Sequence, residues 1–185
     1  MQIMPAKSIP YHCLMSNGSP HVYPLIVCKQ GDVAIHNISP CHGRSFLVAQ
    51  RAEREHVVSK GNGLNYSSHT FLNTGEMGDD TWGLLLRKDA ERDFLLGNEI
   101  RALGVKTNKM EAVVELKADV TLPTNKVVRP VLLQYTVECP YRIEDAAFMP
   151  KELLQQEVSR WEALNRKGFR KKHLIAADIL IVSIR

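Results

Sequence analysis

The chain has no apolar run long enough to span a membrane, and its first residues carry Lys7, Pro5 and Pro10 but no continuous apolar core of a secretory signal. A cytoplasmic protein without a membrane partner is expected. Cysteine is sparse and scattered: Cys13, Cys28, Cys41 and Cys139 form no Cys-x-x-Cys pair and no metal-ligand spacing. That argues for free thiols and against a disulfide framework or a cysteine zinc site. Charge of one sign is not in large excess either. The formal net charge is +4 over 185 residues. Much of it sits in Arg166, Lys167, Arg170, Lys171 and Lys172, which read as a solvated helix end rather than a nucleic-acid surface. What the chain does have is 44% hydrophobic residues, enough to bury one good core, so one domain with appendages is expected.

The most informative stretch runs from Val57 to Thr107. Val57-Val58-Ser59-Lys60 is a short β-branched run that ends on a lysine and meets Gly61 and Gly63. It reads as a strand with Lys60 at its end, followed by a turn. Glycines in this place let a backbone approach a phosphate, although most such pairs only make a turn. Lys88 to Leu103 reads as a helix, with Leu96, Ile100 and Leu103 at the i, i+4, i+7 spacing of one buried face. Asp93 falls on that face, so its carboxylate points inward and needs a cation. Lys60 is the expected partner, and a local lysine or arginine is the competing one. Gly97 permits close packing of the same helix, and Gly104 fits its C-cap.

A strand lysine paired with an acid on the following helix is the arrangement by which kinase-like folds hold nucleotide phosphates. Lys60-Gly61-Asn62-Gly63, Tyr66-Ser67, Trp82-Gly83-Leu84, Arg92-Asp93-Phe94-Leu95 and the segment from Glu99 to Thr107 resemble the selenoprotein O (YdiU) family, over about residues 41 to 145. That family consists of pseudokinase-fold enzymes that transfer AMP from ATP to protein hydroxyls. The resemblance implies that Lys60 orients the ATP phosphates and that Asp93, where the family has a glutamate, holds Lys60. It also implies a phosphate-contacting Gly-Asp-Gly-Arg turn, of which Gly43 and Arg44 are kept while Cys41 and His42 replace the first two residues. A second such element keeps only Gly83 in register, with Trp82 in the acid's place and Asp79 and Asp80 close by. Of two family arginines spaced seven apart at a later strand end, Arg142 matches and Tyr135 replaces the other. The implied cofactors are ATP with Mg2+ or Mn2+, and the implied partner is a protein substrate. The family's metal ligands, an Asp-Asn pair and a later Asp, belong with the catalytic base to a second lobe. No matching segment is found here, so no catalytic residue is assigned and the second lobe is expected to be missing.

Around this stretch the chain reads in order. Residues 1–40 form an irregular lead-in, within which His21 to Cys28 and Asp32 to Ile35 are either strands of a hairpin turning at Gly31 or a divergent leader. Ser45 to Gln50 is a candidate strand, and Tyr66 to Asp80 a polar loop. Glu111 to Leu116 returns to the sheet, Lys117 to Lys126 is a polar connector, and Val127 to Glu138 is a long strand in which Pro130 marks a bulge or an edge. Leu153, Leu154, Val158, Trp161 and Leu164 recur at helical spacing, and Leu174 to Ile184 closes the chain as a helix or a strand. The expected fold is α+β: a protein-kinase-like N-terminal lobe over residues 41–145, made of an antiparallel sheet and a crossing helix, followed by a helical extension over 146–185. The expected function is that of an ATP-dependent protein adenylyltransferase, with a non-catalytic binding or regulatory module of the same derivation as the alternative.

Overall fold

The computed structural model describes residues 9–22, 45–63, 83–122, 125–141 and 149–165. Seven strands and two helices lie within them: β1 (Tyr11–Ser16), β2 (Ser45–Ala52), β3 (Glu55–Lys60), α1 (Arg87–Ala102), β4 (Lys109–Leu116), β5 (Val120–Thr121), β6 (Val127–Val128), β7 (Val131–Val137) and α2 (Lys151–Asn165). Five of the strands form one antiparallel sheet in the order β1-β4-β7-β3-β2, and β5 with β6 makes a separate two-stranded ladder. The class is therefore α+β, with α1 joining β3 to β4 and packing on one face of the sheet.

Side chains of the central strands alternate between two buried faces, as the period of two requires. Val113 on β4 and Val131 and Leu133 on β7 meet Ala90 and Phe94 of α1, together with Leu85 and Met110. Their neighbours Ala112, Val114, Leu116 and Leu132 turn the other way and pack with Ile9, Leu84, Leu122 and Val128. Because both faces are covered, the apolar residues of these strands come in consecutive runs, Ala112-Val113-Val114 in β4 and Val131-Leu132-Leu133 in β7, rather than alternating with polar ones.

Two expectations are corrected here. The segment before residue 20 is not wholly irregular: Tyr11–Ser16 is an edge strand paired with β4, with Tyr11 opposite Leu116 and Cys13 opposite Val114. Its side chains are only partly buried, which is why hydrophobic periodicity did not reveal it. The long strand expected from Val127 to Glu138 is split at Pro130. Its missing N–H ends β6, while its carbonyl accepts a hydrogen bond from the Leu116 amide at 3.0 Å. Beyond that break β7 is a central strand between β4 and β3, so the proline marks neither a bulge nor a sheet edge.

The chain divides into two compact units, residues 1–141 and 142–185. The first holds the sheet and α1, and the second holds α2. Gly43, Arg44, Arg142, the hairpin sought after Val22, the loop from Tyr66 to Asp80, the basic run 166–172 and the segment Leu174 to Ile184 lie outside the described residues.

Candidate functional site

Lys60 is the last residue of β3 and stands opposite Leu133 in the register with β7, so its side chain leaves the sheet on the face that carries α1. There its Nζ donates to Asp93 Oδ2 at 3.1 Å. The expected pair is present. Both side chains are about three-quarters buried, with exposures of 23% for Lys60 and 25% for Asp93, which places the pair between a surface ion pair and a fully buried one.

The stripe that turns Asp93 toward the sheet is not the expected one. Ala90, Phe94 and Gly97 are the buried residues of α1, whereas Leu96, Ile100 and Leu103 are 47%, 40% and 82% exposed. Both sets have the i, i+4, i+7 spacing, and they lie about a third of a turn apart around the axis. The sheet selects the smaller set, because Met110, Leu133 and Tyr135 already fill the space beneath the helix. Asp93 lies on the border between the two stripes, so it faces Lys60 with either choice.

Arg92 is the partner that the sequence did not single out. Its Nε and NH2 donate to Asp93 Oδ1 at 3.3 and 3.0 Å, and its NH1 lies 3.3 Å from Asp89 Oδ1. The Asp89–Arg92 spacing of three residues was the available sign. Asp93 thus has both its expected partner and the competing local one, a different cation on each oxygen. Burial pushes its pKa up, but the hydrogen bonds and charges of Arg92 and Lys60 outweigh that, and the net shift is downward.

The glycine turn beside Lys60 has mostly structural reasons. Gly61 has φ +100, and a Cβ there would stand 2.6 Å from the Val131 carbonyl oxygen and 2.7 Å from Leu85 Cβ. It is the close approach of β7 and Leu85, not a ligand, that demands glycine. Gly63, with φ +90, also needs the left-handed region. Between them Asn62 is fully buried and pairs with Leu84 in an isolated bridge, its Nδ2 donating to the Ser59 carbonyl at 2.7 Å. The bridge brings Gly83, itself buried with φ +76, next to the end of β3. Asn62 Oδ1 is a buried acceptor without a hydrogen-bond partner among the described residues, and an acceptor offers nothing to a phosphate oxygen. Of the expected site residues, then, the fold gathers Lys60, Asp93 and Gly83 around the end of β3.

A second polar group lies on the opposite face of the sheet. Glu111 is 3% exposed and accepts from Thr136 Oγ1 at 2.8 Å, with Arg51 NH1 and Lys109 Nζ each at 3.3 Å. Burial pushes its pKa up, and these three partners more than reverse the shift. It fastens the turn after β1 as well, since the Asn17 amide donates to the Glu111 carbonyl at 2.7 Å. Among the described residues no group of three or more His, Cys, Asp or Glu side chains is placed to hold a metal ion, and no helix is long and apolar enough to cross a membrane. Set against models of protein families and against curated proteins, the chain matches none.

Proposed function

We propose that this chain carries the ATP-phosphate-binding lobe of a kinase-like protein adenylyltransferase of the kind it resembles in the selenoprotein O (YdiU) family. Lys60 is the phosphate contact in this reading, and Asp93 is the residue that orients it. The observation that carries the proposal is the 3.1 Å pair between the end of β3 and the middle of α1. In kinase-like lobes a lysine of one strand is held by an acid of the next helix, and the aligned ammonium binds the phosphates. The order β2-β3-β7-β4, with the helix inserted between β3 and β4, supports the same reading. Among the described residues no group of three or more His, Cys, Asp or Glu side chains is placed to hold Mg2+ or Mn2+.

A second reading is favoured by Arg92. Asp93 has a local cation whether or not a nucleotide is present, which suits a pair kept for stability in a non-catalytic binding module. Titration of the purified chain with ATP, followed by incubation with labelled ATP, Mg2+ or Mn2+ and a protein acceptor, separates the two. Lys60→Ala should weaken ATP by roughly tenfold or more, the loss of one charge-assisted hydrogen bond. Label on the acceptor that Lys60→Ala removes would support the enzyme. ATP binding that Lys60→Ala weakens supports the phosphate-binding lobe even without transfer, binding that Lys60→Ala leaves unchanged favours the module, and no binding at millimolar ATP would sink the nucleotide reading altogether.

A further inference from the structure

We infer that Gly97 is a positioning residue for the Lys60–Asp93 pair: its missing side chain lets α1 lie close enough to the sheet for an aspartate to reach the lysine. Gly97 is one turn beyond Asp93 and among the buried residues of α1. A Cβ at Gly97 would overlap the Met110 side chain, lying 2.8 Å from Cγ and 3.3 Å from Sδ. Met110 is itself 7% exposed and held among Leu85, Phe94 and Leu133. A methionine can swing its terminal methyl aside, but moving Cγ requires a new χ1 in a packed strand.

The magnitudes agree. Ordinary carbon contacts are about 3.5–4.0 Å, so relieving the overlap with Cγ would lift the helix by roughly 1 Å. One carbon–carbon bond is about 1.5 Å, so the lift is close to the reach that separates aspartate from glutamate. The same lift would open the 3.1 Å Lys60–Asp93 contact to about 4 Å, beyond hydrogen-bonding range. Aspartate at 93 and glycine at 97 therefore form a matched set, and a longer acid would go with a larger residue at 97. The flexible stem of Lys60 offers one way round this coupling, and reciprocal variants test it.

The experiment reads the rate at which Lys60 is acetylated by a small amine reagent at neutral pH, measured by mass spectrometry in the full chain and normalised to the exposed Lys88. Asp93→Ala should raise that rate about threefold to tenfold, because the ammonium loses the carboxylate that holds it at 3.1 Å. Gly97→Ala should raise it to a similar extent, and adding Asp93→Glu to Gly97→Ala should return it to near the native rate. Asp93→Glu alone should be faster than that double variant. If Gly97→Ala fails to fold, Asp93→Glu alone decides: with glycine kept at 97 it should raise the rate above the native one, and a native rate would overturn the inference. An unchanged rate in Gly97→Ala, or a double variant no slower than Asp93→Glu alone, overturns the inference. ATP affinity, which rests on the proposed function, should fall and recover in the same pattern. A native chain that does not bind ATP would defeat the nucleotide reading, while the acetylation rates would still rule on Gly97.

Discussion

Asp93 holds Lys60 with one oxygen and Arg92 with the other, and its acid behaviour follows from that division. Its pKa in the folded chain is held down, burial notwithstanding, by hydrogen bonds and charge from Arg92 and Lys60. An aspartate in an unfolded chain titrates at about 3.9. The stability that the pair contributes is therefore fully present above about pH 4 and is lost as the pH falls through the lower folded value. Asp93→Asn should flatten part of the acid limb in urea midpoints measured between about pH 5 and 2. A limb of unchanged slope would mean that the ionised carboxylate contributes nothing. Glu111 has a shift of the same sign, so some acid sensitivity should remain. A double-mutant cycle checks the pair at neutral pH. Asp93→Ala should cost about 1–2 kcal/mol more in the native chain than in a Lys60→Met background, between the values for exposed and buried pairs. Additive losses would speak against coupling. At this scale the sequence revealed Lys60 and Asp93 but not Arg92, because the spacing of three that marks it pairs it with Asp89 and says nothing of the adjacent Asp93.

Glycines separate local from tertiary demands at the scale of the element. Gly104 ends α1: its amide donates to the Arg101 carbonyl at 3.0 Å and the next amide, of Val105, to the Ile100 carbonyl at 3.3 Å, the two hydrogen bonds of a Schellman cap. It has φ +80, and a Cβ there would meet nothing within 4 Å. Gly104→Ala should therefore cost only the left-handed backbone, about 1–2 kcal/mol. Gly61→Ala has the same backbone penalty and also drives a methyl group against the Val131 carbonyl and Leu85. Its cost should exceed that of Gly104→Ala by about 1–3 kcal/mol, the usual range for overpacking. Unfolding free energies check the order, and equal costs would show that β7 gives way freely. The cap was legible in the sequence because it is local. The reason for Gly61 was not, since Val131 lies seventy residues away in the chain.

For the molecule as a whole, the segment before residue 20 is where the fold departs most from the sequence. β1 closes the β4 edge of the sheet, Ile9 is buried in the core, and Asn17 Nδ2 donates to Asn98 Oδ1 and to the Met110 carbonyl, each at 3.0 Å. Deleting residues 1–18 should thus cost about 3 kcal/mol or more, since burial of one large aliphatic side chain contributes about 1.5–3 kcal/mol before the strand pairing is counted. Denaturant midpoints of the shortened and full chains measure this directly. Equal midpoints would restore the reading of a lead-in without structural weight.

The sequence alone determined the α+β class, the strand that ends at Lys60, the helix of α1 with its glycine cap, and the pairing of Lys60 with Asp93. Each of these follows from short-range periodicity, turn chemistry or the cost of an unpaired inward charge. The choice between two equivalent stripes on α1 belonged to the tertiary structure, because spacing is blind to the bulk of Met110 and its neighbours on the sheet. So did the recruitment of Tyr11–Ser16 to an edge, where partial burial leaves no alternating pattern, and the central place of β7 behind Pro130. These depend on contacts between distant residues, and a one-dimensional pattern records only what each residue needs of its near neighbours.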